Sequence, residues 1–243
     1  MSESSAAEAL TAHGSAARPL EARCPRDGRD VLREGRAATG RAAGRRTLYL
    51  STLTLAPSHP AAARDLASPY ELHRTLARVF GDGDLGAGRY LWRQEGRRIL
   101  VQSPIPGRWE TLEAGYCEAL EADRARILTD MAGLEARWRF CLSANPTVTR
   151  RGRRCGLAHA DEALVWLHRQ GLCSGFAVEH ASMPKIERLE IRNARTQARM
   201  GFIRASFEGV LAVRDGERFG AALARGLGHG KAFGMGLLVL APV

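Results

Sequence analysis

No stretch of this sequence reaches the roughly 18 consecutive apolar residues that span a bilayer, and no apolar segment follows the first residues, so a soluble, cytoplasmic protein with no membrane partner is expected. Cysteine is equally sparse. The five that occur (Cys24, Cys117, Cys141, Cys155 and Cys173) are odd in number, widely spaced and without a C-x-x-C pair, which argues against a disulfide framework and against a zinc site. Acidic residues fall short as well: 26 Asp and Glu face 36 Lys and Arg, giving a net charge of +10 and favouring a polyanionic partner. Lysine is nearly missing from that basic set, since only Lys185 and Lys231 occur. The abundance of Ala, Gly and Arg suggests GC-rich coding, so the choice of arginine over lysine is uninformative while the charge itself is not.

Nucleotide-binding loops are also lacking. The glycine-dense stretch "GLGHGKAFGMG" at 226–236 invites such a reading, but Arg225 precedes Gly230-Lys231 where a P-loop glycine belongs, and Ala232 stands where it needs a hydroxyl. The dinucleotide pattern fails at Lys231, which takes the place of the third glycine. No nucleotide cofactor, no other cofactor and no bound metal is therefore expected. What remains is a loop able to approach another backbone closely and to offer amides and one cation to an anion.

Along the chain, residues 1–46 hold nine arginines against six acidic residues and no aromatic, and lack sustained apolar periodicity. They are read as a disordered Ala/Arg-rich extension that is dispensable. From Thr47 onward two units of similar layout follow, 47–132 and 133–243. The first reads as strand 47–56, helix 68–80, strands 88–95 and 98–104 about a turn at Gly96, helix 109–121 and a short strand near 127–131. The second reads as strand 135–146, helix 160–170, strands within 174–192 and 200–214, helix 216–226 and a terminal strand 235–241. Each order is β-α-β-β-α-β, so an α+β protein of two tandem ferredoxin-like, RRM-like domains is expected, a layout whose sheets commonly meet RNA.

The sharpest local signal is "SPYELHRTLARVF" at 68–80. Ser68 can cap, Pro69 suits the first helical position and Glu71 completes a capping box. Leu72, Leu76, Val79 and Phe80 form the buried stripe, and His73 lies at its edge beside Tyr70, one turn earlier. The amino end of a helix disfavours cations, which biases His73 toward its neutral form. A neutral imidazole, a phenol and nearby cations suit RNA cleavage by the substrate's own 2′-hydroxyl. The bland alternative is that both side chains are amphipathic boundary residues with wet tips.

Two basic stretches are candidates for a phosphate-holding surface: "TRRGRRCG", with Arg150, Arg151, Arg153 and Arg154, whose bland alternative is a solvated loop, and the run through Lys185, Arg188, Arg192, Arg195 and Arg199.

Taken in order, "LYLSTLTL", "SPYELHRTL", "FCLSANP", "ADEALVWL", "FEGVL" and "GLGHGKAFGMGLLVLAP" resemble the CasE-type CRISPR repeat-RNA endoribonucleases over about residues 48–243. The loop fits that family's paired glycine pattern through Gly226, Gly228, Gly234 and Gly236. The resemblance implies metal-independent cutting of precursor CRISPR RNA at the base of each repeat hairpin, leaving a 5′-hydroxyl and a 2′,3′-cyclic phosphate. It also implies retention of the hairpin within the Cascade surveillance complex, whose other subunits would be partners. By position, His73 falls on the catalytic histidine and Tyr70 on a tyrosine some members use beside it. Lys231 falls on the lysine of the glycine loop, with the Gly228 and Gly230 amides beside it, and Arg78 stands where some members carry lysine. Two rival classes are a non-cutting RNA-hairpin scaffold of the same fold and a DNA-binding module.

Overall fold

The computed structural model describes residues 47–81, 89–127, 131–192 and 199–243. The extension at 1–46 and most of the strand expected near 127–131 lie outside those residues.

Ser68 separates two helices where the sequence predicts one. Its extended backbone (φ −137°, ψ 107°) ends α1 (Pro60–Ala67) and starts α2 (Pro69–Phe80). The Ser68 hydroxyl accepts from the Glu71 amide at 3.4 Å, but the Glu71 carboxylate turns to Arg74 at 3.1 Å instead of returning to the cap, so only half of the capping box forms. The stripe forms as expected, with Leu72, Leu76, Val79 and Phe80 buried together with Thr75. The unexpected α1 is held from below, where fully buried Asp65 accepts from the Tyr116 phenol at 2.8 Å and pairs with Arg64.

Behind these helices lies an antiparallel sheet of β1 (Thr47–Leu55), β2 (Leu91–Glu95), β3 (Arg98–Ser103) and β4 (Cys117–Ile127), in the order β2-β3-β1-β4. That is the ferredoxin-like order. The helix expected over 109–121 does not form. A single 3-10 turn, Trp109–Thr111, is followed by β4, which pairs with β1 along most of its length. Tertiary contacts override a run of good helix formers here. Asp123 accepts from the Trp109 indole at 3.0 Å and the Gly107 amide at 3.1 Å, while its own amide donates to Ser51 Oγ at 2.9 Å, pinning the segment against β1.

The second sheet runs β11-β5-β10-β8, built from β5 (Arg137–Ala144), β8 (Phe176–Ala181), β10 (Arg199–Val213) and β11 (Leu238–Pro242). β9 (Lys185–Arg192) pairs with the amino-terminal half of the long β10, making the expected hairpin. α3 (Ala160–Cys173) and α4 (Gly216–Arg225) cover one face, where Trp166 stacks with Phe207 and Phe176 meets Phe219 edge-on. The chain is thus α+β, with two ferredoxin-like units in tandem.

A further difference from the sequence reading concerns "TRRGRRCG". The Arg-rich stretch is a hairpin of β6 (Thr147–Arg150) and β7 (Arg153–Gly156), closed by Arg151 (φ 50°) and Gly152 (φ 74°), the two positive angles that a two-residue hairpin turn favours. Cys117, Cys141 and Cys155 are free. Among the described residues no helix is long and apolar enough to cross a membrane.

Candidate active site

The glycine loop ties the two units together, and close approach is what its glycines are for. A side chain at Gly234 would begin 2.7 Å from the buried Trp92 ring of β2, and one at Gly226 would begin 2.9 Å from Leu91 beside it. Both positions also take φ in the left-handed region, 74° and 72°. Gly236 then donates to the Ser143 carbonyl of β5 at 2.6 Å, carrying the chain into β11. We expect Gly234→Val to cost about 2–4 kcal/mol through ring overlap and backbone strain, lowering Tm by about 5–15 °C. Gly201→Ala, at a position with nothing within 4 Å, is the neutral control in the same melting experiment.

Between those contacts Lys231 opens a 3-10 turn (Lys231–Phe233) led by Gly230, and its ammonium donates to the Gly228 carbonyl. The turn lies against α2 and β2, and Phe233 meets Phe202 of β10 with ring centres 4.9 Å apart. Burial first, then the neighbouring cations Arg89 and Arg225, push the Lys231 ammonium down to about 8.

On the facing helix, His73 is half-buried, and its Nδ1 lies 2.8 Å from the Tyr90 hydroxyl. Tyr90 sits just before β2, stacked on Phe80 at 5.0 Å, so the core holds its ring in place. Burial and then the Arg89 guanidinium lower the His73 pKa, which keeps the imidazole neutral near pH 7. Its Nε2 makes no hydrogen bond among the described residues. Arg89 perturbs both His73 and Lys231 and thereby marks one electropositive cluster: His73, Tyr90, Arg89, Lys231 and Arg225.

Tyr70 lies one turn before His73, half-buried, and the phenol that bonds the imidazole is Tyr90 rather than Tyr70. Arg78 is not brought to the imidazole. Five residues at about 100° each place it about 140° around the helix from His73. There it donates to Thr75 Oγ1 at 3.2 Å and lines a surface groove with Arg64, Glu71 and Arg74.

The remaining basic residues divide. Arg150 is paired with Glu162 at 3.1 Å and Lys185 with Glu187 at 2.8 Å, so neither is a free cation. Arg151 occupies its turn and Arg153 is exposed. Arg154 shares a groove of about 750 Å³ with Arg188, Arg199 and His229. The β9–β10 register sets Arg188 opposite Ile203 and Leu189 opposite Phe202, so Arg188 projects from the hairpin face away from the Phe202–Phe233 contact and the Lys231 turn. Phe202, and His229 of the glycine loop, line the same groove, so it reaches the Phe202–Phe233 contact beside the Lys231 turn.

Sequence reasoning missed Arg89 and Tyr90. The stretch "GRYLWRQE" reads only as a strand, and nothing in it points to a histidine 17 residues earlier.

A tandem of ferredoxin-like units joined by a glycine loop, with a neutral histidine facing that loop, places the chain among the CRISPR-associated proteins, and it belongs to the family described as "CRISPR associated protein", whose model matches residues 48–242. Within that family it is similar to the CRISPR-associated endoribonuclease Cse3 of Thermus thermophilus, 35% identical over an alignment of 214 positions that covers 80% of this chain and 100% of the relative. The structure of Thermus thermophilus Cse3 bound to an RNA representing a pre-cleavage complex matches with a TM-score of 0.70 at 34% identity, over 81% of this chain and 100% of that one. A chain of a CRISPR RNA-guided surveillance complex in its pre-nicking state shares the fold, with a TM-score of 0.59 at 23% identity over 80% of this chain and 100% of that one.

Proposed function

We propose that this chain is a CRISPR-RNA endoribonuclease that cuts precursor transcripts at the base of the repeat hairpin without a metal ion, and that it then keeps the hairpin as a subunit of the Cascade surveillance complex. The similarity to Cse3, and the RNA bound in a structure of that relative, support the substrate class. One observation carries the chemistry: a neutral His73, tethered at Nδ1 with Nε2 uncommitted, faces the cations Arg89 and Lys231.

In the proposed reaction the ribose 2′-oxygen bonds to the adjacent phosphorus and the bond to the 5′-oxygen breaks. His73 Nε2 takes the 2′-hydroxyl proton and returns it to the departing 5′-oxygen, so products carry a 2′,3′-cyclic phosphate and a 5′-hydroxyl. Arg89 and Lys231 offset the charge that builds on the phosphate, and Tyr70, one turn from His73, hydrogen-bonds an oxygen of the reacting linkage. Arg154 and Arg188, in their shared groove, hold phosphates of the flanking RNA and set register without touching the scissile bond.

The discriminating experiment incubates the protein with its repeat hairpin in excess EDTA. Cutting at one site supports the proposal. Binding without any cutting selects the scaffold reading, and preference for duplex DNA in competition selects the DNA-binding one.

A linked expectation concerns Lys231. Because the free protein holds this ammonium near pH 8, phosphate binding at pH 8.5 draws a proton onto it, and the sign is uptake. Calorimetry in buffers of differing ionisation enthalpy should record uptake of part of one proton per hairpin, lost in Lys231→Met. Uptake unchanged by that substitution would contradict a role for Lys231 at the RNA backbone.

A further inference from the structure

Tyr90 contacts His73 twice. Its hydroxyl lies 2.8 Å from His73 Nδ1 and 3.3 Å from the His73 backbone carbonyl oxygen. A phenol has one proton to give and an oxygen that can accept, whereas a carbonyl oxygen can only accept. The carbonyl contact is therefore a hydrogen bond only if the phenol directs its proton there. The phenol oxygen then presents lone pairs to Nδ1, and that second contact is a hydrogen bond only if Nδ1 carries a hydrogen.

One arrangement alone satisfies both contacts. From it we infer that Tyr90 is a positioning residue which holds His73 in the Nδ1–H tautomer and leaves the Nε2 lone pair outward as the base. The inference rests on the proposed role of His73 as a proton acceptor. Its local logic matches the general pattern in which a third group orients the catalytic base and selects its tautomer. Tyr90 suits this role because its ring is clamped between Phe80, stacked at 5.0 Å, and the imidazole, at 5.5 Å, so the hydroxyl is held by packing. The arrangement also survives turnover. When Nε2 takes the 2′-hydroxyl proton, the imidazolium keeps its Nδ1–H bond to the same phenol oxygen, and delivery of the proton from Nε2 to the leaving oxygen restores the starting tautomer with no reorientation of Tyr90.

The test reads tautomers directly. Protein labelled with ¹⁵N-histidine, free of RNA and well above the histidine titration range, is compared by NMR with Tyr90→Phe, the His73 signals being assigned by their loss in His73→Gln. The expected wild-type spectrum shows a protonated Nδ1 and a pyridine-like Nε2. In Tyr90→Phe, which keeps the stacked ring and removes only the hydroxyl, His73 reverts toward the Nε2–H form that imidazole favours in water. Single-turnover cleavage by Tyr90→Phe is expected to fall about tenfold or more, with hairpin affinity unchanged. A wild-type His73 already in the Nε2–H form overturns the inference, whether or not the variant folds. So does a tautomer that Tyr90→Phe leaves unaltered. A Tyr90-dependent Nδ1–H tautomer in a protein that never cuts RNA would support the tautomer assignment while counting against the endoribonuclease reading.

Discussion

Replacing His73 by alanine is expected to reduce single-turnover cleavage of the repeat hairpin by about 10³-fold or more while changing hairpin affinity less than about twofold, because proton transfer by a placed imidazole contributes roughly 10²–10⁴ in rate. The two readouts separate because His73 is proposed to move the proton, whereas Arg154 and Arg188 are proposed to hold phosphates of the flanking RNA. The wild-type pH profile carries the same information. Burial and Arg89 hold the His73 pKa below the ordinary 6.5, so the rate should climb as pH rises through a midpoint below 6.5 and then level off. That sign belongs to a group that must be neutral to act. A rate that instead fell across the same interval would assign His73 the proton-donor role at the start of the reaction. A parallel loss of affinity in His73→Ala would reduce the residue to a binding contact.

The second large effect lies in the substrate. A hairpin carrying a single 2′-deoxyribose on the 5′ side of the scissile phosphate lacks the attacking oxygen, and its cleavage should fall below detection, a loss of at least about 10⁴-fold for an intramolecular nucleophile with an effective molarity that high. Affinity should be nearly intact, since the proposed contacts are with phosphates. Residual cutting of the deoxy hairpin at the same bond would mean that water is the nucleophile, and the assignment of Nε2 as base to the 2′-hydroxyl would fall with it.

How much of this was legible in the sequence depends on whether a feature is local. The start of α2 was, because Ser68, Pro69 and the apolar spacing from Leu72 to Phe80 act within one helix. The strand order of the second sheet followed from its element order. β4 was not legible, because "TLEAGYCEALEADRAR" is rich in helix formers and only Asp123, bonded to Trp109 and Ser51, reveals why it lies extended along β1. The sequence shows that the terminal loop is crowded with glycine, but not that Gly226 and Gly234 are the ones pressed onto Leu91 and Trp92. Arg78 entered through its position in the family pattern, and helix geometry sets it about 140° around α2 from His73. Tyr90 was hidden for the most general reason. Its partner is 17 residues distant, and the contact exists only once β2 has joined the sheet and Phe80 has fixed the ring.

The central claim is that the scissile ribose attacks its own phosphate, and the chemistry of the cut ends tests it most directly. Mass spectrometry of the products of a single turnover in EDTA should find a 2′,3′-cyclic phosphate on the 5′ fragment and a 5′-hydroxyl on the 3′ fragment. A 5′-phosphate beside a free 3′-hydroxyl would contradict the account, because those ends require an external nucleophile.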